Sequence, residues 1–199
     1  MLTNSRGRDE GFTLVELMVV IVVFGVLVAV ATASLINVMQ TSRRSEERTY
    51  RSAAAQTALE RFSKDARVAI PVEAAAANDL TVRVYRNGAC EIHRYHVDTT
   101  ADTFLTTVRR FAASSSCTSA TGTASAAQSQ VLARYVTNDA SNPQFTYQTV
   151  VSGARQPMTA PIATQDLKNI QGLVAELDVL GPEGTSPIVL RTSVELRNN

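Results

Sequence analysis

The stretch GFTLVELMVVIVVFGVLVAVATASLI, residues 11–36, decides how this chain is built. From Phe12 to Ser42 only one side chain ionises, Glu16. Leu17 to Ile36 is a run of 20 residues interrupted only by Gly25, Thr32 and Ser34. As a helix it is about 30 Å long, the thickness of a bilayer's hydrocarbon core. It has no polar face, which argues against a helix packed at the surface of a water-soluble core. A carboxylate at mid-bilayer costs on the order of 2.5–3.5 kcal/mol, so Glu16 needs a reason.

The run admits three readings. As a secretory signal, Arg6 and Arg8 form the basic region, and AVA (29–31) or ATA (31–33) supplies the small-residue cleavage site. As a signal anchor it stays uncut. Against the first stand the position of Glu16 and an apolar run longer than the usual ~7–15 residues. Arg43 and Arg44 beyond the far end weaken any orientation argument from flanking charge.

The third reading is a resemblance. Gly11-Phe12-Thr13-Leu14-Val15-Glu16 followed by the apolar run resembles the processing site of type IV pilins and pseudopilins. The resemblance implies that prepilin peptidase cuts after Gly11 and N-methylates Phe12, and that Glu16, fifth after the cut, serves assembly with other pilin or pseudopilin subunits. Cleavage creates an α-amino group four residues from Glu16, on the same side of a helix, and an acid also suits a helix N-terminus. The family often has a proline where this chain has Ala33; Gly25 matches a common family glycine.

Beyond the apolar run the helical period continues with a different character. Ala55, Ala58, Leu59, Phe62, Ala66, Ala69 and Ile70 form one stripe, with Arg61, Lys64, Asp65 and Arg67 off it. Pro71 ends the pattern. Arg43, Arg44, Arg48 and Arg51 form either a lipid-headgroup contact or a plain solvated face. Strand patterns follow at 80–86, 89–97, 104–110, 131–137, 145–151, 173–179 and 188–196, with Asn87-Gly88 as a two-residue hairpin turn.

The expected fold is therefore α+β and pilin-like: a long N-terminal helix, apolar then amphipathic, packed on an antiparallel β-sheet head. Its expected divisions are a leader at 1–11, a membrane or filament-core half-helix at 12–42, an amphipathic half at 43–70 and a β-rich head at 71–199. Two cysteines, Cys90 and Cys117, either form a disulfide in an extracytoplasmic head or remain unpaired.

Chemistry is sparse. His93 and His96, the only histidines, are an odd number apart on a strand and so face opposite ways, a poor metal pair. No phosphate loop, nucleophile elbow or zinc spacing occurs. The oxygen-rich loops at 98–102 and 137–142 lack a calcium-loop pattern and read as turn formers. With 19 Lys+Arg against 18 Asp+Glu, no general nucleic-acid footprint is present. The resemblance implies a minor pilin or pseudopilin, a non-enzymatic filament subunit without cofactor. It is held first in membrane lipid of the cytoplasmic membrane with its head outside, and later in a filament. Size and layout resemble the J-type minor pseudopilins. The rival is a secreted or signal-anchored β-domain with a binding role.

Overall fold

The computed structural model describes residues 13–86, 88–111, 117, 124–183 and 185–196. It divides into two compact units, Met1–Ser45 and Glu46–Asn199. One helix, α1 (Leu14–Arg67), is followed by nine strands: β1 (Ala69–Ala75), β2 (Asp79–Arg86), β3 (Ala89–Asp98), β4 (Thr103–Phe111), β5 (Gln128–Arg134), β6 (Phe145–Val151), β7 (Ala154–Met158), β8 (Gly172–Val179) and β9 (Ile188–Glu195). This is the α+β arrangement expected, a long N-terminal helix with antiparallel sheets.

In the first unit, every described residue of α1 is exposed. The polar interruptions are satisfied by the helix itself. Thr32 Oγ1 donates to the Val28 carbonyl at 2.8 Å, and Ser34 Oγ to that of Val30 at 2.9 Å. Such bonding to the carbonyl four residues back leaves no hydroxyl in want of water. The mean hydropathy of the most apolar window is 3.0, so this helix is long and apolar enough to cross a membrane.

In the second unit, strands lie in two antiparallel sheets, ordered β1-β2-β3-β4-β5 and β7-β6-β8-β9. The helical stripe is buried where expected: Ala55, Ala58, Leu59, Phe62 and Ala66. Phe62 joins the layers. Its ring stands edge-on to Tyr95 of β3 at 5.1 Å and lies 5.4 Å from Phe145 of β6. Burying one such ring contributes about 1.5–3 kcal/mol. Leu80, Val82 and Val84 of β2 and Leu173, Ala175, Leu177 and Val179 of β8 complete the core.

Several expectations change in detail. The helix ends at Arg67 rather than running to 70, and Ala69 is buried by pairing with Val84 on β1. Ile70 precedes a proline and is pushed out of helical geometry; its side chain lies outside the described part. Pro71 is tolerated because β1 is an edge strand with register breaks on either side of Val72. The fifth strand stops at Arg134 because Tyr135 turns to φ 62°, and Val136 then bridges to Val179. β7 escapes the sequence pattern because it is a polar edge strand containing Pro157. It returns from β6 through Ser152 and Gly153, whose φ values of 52° and 82° suit a tight primed hairpin turn. Gly88 supplies φ 75° in the β2–β3 turn; Asn87 lies outside the described residues.

Cys90 and Cys117 are joined in a disulfide, with Cα atoms 5.5 Å apart. Arg51 does not sit on a solvated face. Its guanidinium stacks 3.9 Å from the Tyr135 ring centroid and donates to the Leu180 carbonyl at 2.6 Å, and it also pairs with Glu47. Arg48 donates to the Ser186 carbonyl at 3.3 Å, while Arg43 and Arg44 remain exposed.

Candidate functional site

The N-terminal segment is organised by its first described residue. Thr13 precedes α1, and its Oγ1 accepts the backbone N–H of Glu16 at 3.2 Å. Thr13-Leu14-Val15-Glu16 thus has the spacing of a capping box, in which a threonine caps the helix and a glutamate stands at its third position. Four N–H groups at a helix start have no partner within the helix, and an acid there also meets the positive end of its dipole. The bond engages the backbone of Glu16, and its carboxylate sits in the first turn, where an acid suits the helix dipole. The sequence contained that signal, threonine three residues before glutamate, and the reading of the apolar run passed over it. Gly11 and Phe12, the expected cut site and methylated residue, lie outside the described residues.

One motif model matches this segment: the prokaryotic N-terminal methylation motif, over residues 6–32. Over that segment the chain carries a prepilin-type methylation motif. The match ends within the exposed apolar helix, so the motif leads into a segment long and apolar enough to cross a membrane. No curated protein and no solved structure matches the chain.

In the second unit an ionic cluster lies under the helix. Asp65, placed off the stripe by its sequence period, is 2% exposed and points into the core. Arg86 Nη2 donates to its Oδ1 at 2.7 Å, and the Tyr95 hydroxyl donates to Oδ2 at 2.5 Å. His93 is buried between two carboxylates. Its Nε2 is 2.9 Å from Glu91 Oε2, and its Nδ1 is 3.0 Å from Asp65 Oδ2. The latter contact is poorly aligned for a hydrogen bond and acts through charge. Arg110 Nε donates to Glu91 Oε1 at 2.7 Å.

The electrostatics follow from these contacts. Burial opposes ionisation of Asp65, but hydrogen bonds from His93 and Tyr95 and the charges of His93 and Arg86 outweigh it, lowering its pKa to about 2. Glu91 is likewise held below its ordinary range against burial, by His93 and Arg110. Burial works against a charged His93, yet Asp65 and Glu91 together raise its pKa. Both carboxylates thus favour the protonated ring, which hydrogen-bonds Glu91 and faces Asp65 through charge.

His96 points the other way and is only partly buried, as the odd spacing requires. Neither acidic loop shows an open ligand set. Asp98 Oδ1 accepts the N–H groups of Thr100 and Ala101, and Asp139 Oδ1 accepts those of Ser141 and Asn142. Asn138 is buried, and its amide bridges to the backbone of β8 at Glu176 and Asp178. Among the described residues no group of three or more metal-ligating side chains occurs.

Proposed function

We propose that this chain is a minor pilin or pseudopilin, an assembly subunit of a type IV pilus or a type II secretion pseudopilus. The observation that carries the reading is the methylation motif over residues 6–32, running into an exposed apolar helix. Prepilin peptidase cuts after Gly11 on the cytoplasmic side and methylates the new terminus at Phe12. The amine so created is cationic, and methylation keeps it so. It can therefore meet the carboxylate of Glu16, in its own helix or in a neighbouring subunit's, and offset the cost of that charge in an apolar surrounding.

Before assembly the subunit stands in the cytoplasmic membrane as a single-pass protein, with its β-rich unit on the outer side. Afterwards it is part of a periplasmic or cell-surface filament with other pilin or pseudopilin subunits. The division into a leader at 1–11, two half-helices and a head is part of the same reading. Chain size and layout resemble those of J-type minor subunits, and Glu16 argues against the secretion-pseudopilus tip subunit, which lacks that acid.

Mass analysis of the mature N-terminus tests the reading. A chain that begins with N-methylated Phe12 is expected. One that begins at Thr32 or Ser34 refutes it and makes the protein a signal-peptide-bearing β-domain.

A further inference from the structure

Strand register brings an unusual set of side chains to one face. Glu91 pairs with Arg110 and His93 with Val108 across β3 and β4, and Thr106 pairs with Gln130 across β4 and β5. Side chains on alternate residues of paired strands share a face, so all of these point toward α1. Between them and Arg61 of the helix lies a cleft of about 270 Å³, lined also by Arg86, Gln128 and Ser129. Its volume is that of several water molecules, each about 30 Å³.

Three guanidinium groups reach this cleft from three elements: α1, β2 and β4. Two are tied to the wall through single contacts, Arg86 to Asp65 and Arg110 to Glu91. Their side chains remain 45% and 65% exposed. Arg61 pairs with no carboxylate among the described residues; its Nη1 donates to Gln130 Oε1 at 2.5 Å, which orients it. Both wall carboxylates are also shared with His93, so neither is left free to pair with Arg61. If the arginines served only to neutralise Asp65 and Glu91, Arg61 would be superfluous. A guanidinium carries five N–H donors in a planar fork matched to carboxylate and phosphate oxygens. Each contact described here uses one.

We infer that the cleft between Arg61, Arg86 and Arg110 is an oxyanion-binding site, taking a carboxylate or phosphate group of a small ligand. Gln130, Ser129 and Thr106 offer neutral hydrogen-bonding groups at its floor.

The test uses the full mature chain in neutral-detergent micelles. Sodium chloride is replaced stepwise by sodium phosphate or sodium succinate at constant ionic strength. A ligand that binds only the folded state raises the melting temperature by mass action. At least one of the two anions is expected to raise it and to shift the arginine Nε–H resonances of Arg61, Arg86 and Arg110. Phosphate alone indicates a phosphate group, and succinate alone a carboxylate. Arg61→Gln is expected to weaken the apparent affinity at least tenfold. Gln130→Glu, which supplies an internal carboxylate to Arg61, is expected to do the same without loss of fold. The inference is overturned if neither anion has an effect up to about 50 mM, far above the 1 mM that corresponds to about −4 kcal/mol. It is equally overturned if the effect persists unchanged in both variants, since it then reflects salt in general.

Discussion

Replacing Asp65 by asparagine removes the charge around which the buried cluster is arranged while keeping its shape. Asp65 is 2% exposed and holds Arg86, His93 and Tyr95. The fall of its pKa from 3.8 to about 2 corresponds to about 2 kcal/mol of stability at neutral pH. His93 keeps its pairing with Glu91 in this variant, which limits the further loss. For a unit of this size, 2 kcal/mol lowers the melting temperature by about 4–8 °C. The pH dependence separates the partners. Asp65 has a depressed pKa, so its contribution is present above 3.8 and lost as pH falls toward about 2. His93 has a raised pKa, so its contribution is complete below 6.5 and lost as pH rises through the folded-state value. The wild-type chain in micelles, melted by near-UV circular dichroism at a series of pH values, should be most stable between about pH 4 and 6.5. Asp65→Asn should lie below it throughout that window and show a shallower decline on the alkaline side, since Glu91 still faces His93; His93→Gln should lose that decline. A wild-type melting temperature that does not fall above pH 6.5, or an Asp65→Asn variant as stable as wild type at pH 5.5, would show that the cluster is not the stabilising ion network described.

Three further perturbations test separate parts of the molecule. Cys90→Ser with Cys117→Ser opens a loop of sequence separation 27, and in the chain-entropy model costs about 3.5 kcal/mol. Equilibrium denaturation with and without reductant measures this, and an unchanged midpoint refutes it. Thr13→Val removes the cap seen at the start of α1 and should cost about 1 kcal/mol locally, visible as faster amide exchange at Glu16. Glu16→Ala should leave processing largely intact while reducing incorporation into filaments, measured by sheared-filament immunoblotting. Normal incorporation would show the carboxylate dispensable for assembly.

The parts of the fold written in a simple period were legible. The apolar run, the stripe ending in Phe62 and Ala66, and the strands β2, β3, β6, β8 and β9 follow alternation or 3.6-residue spacing. The elements that escaped break a period for a local reason. β1 and β7 contain Pro71 and Pro157, admissible only because both strands are edges. Asp65 reads as a surface residue because charge normally marks the solvated side. It is inside because partners on β2 and β3, 21–30 residues away, converge on it. Such a cluster has no local sequence signature; alternation of Glu91, His93 and Tyr95 on one strand face was its only trace. The Thr13 cap, three residues before Glu16, was legible from spacing alone.

The hydroxyls of Thr32 and Ser34, each closed onto its own helix, have a consequence for where α1 can reside. Between Leu17 and Ile36 no side chain requires a particular neighbour. Acyl chains and the methyl groups of other helices are then interchangeable surroundings, because exchanging one for the other breaks no hydrogen bond. Discrimination along this segment is concentrated at its beginning, in Glu16. A helix made this way is indifferent along its length and selective at one point, a combination suited to a segment that must leave one apolar medium for another and stop in a defined register.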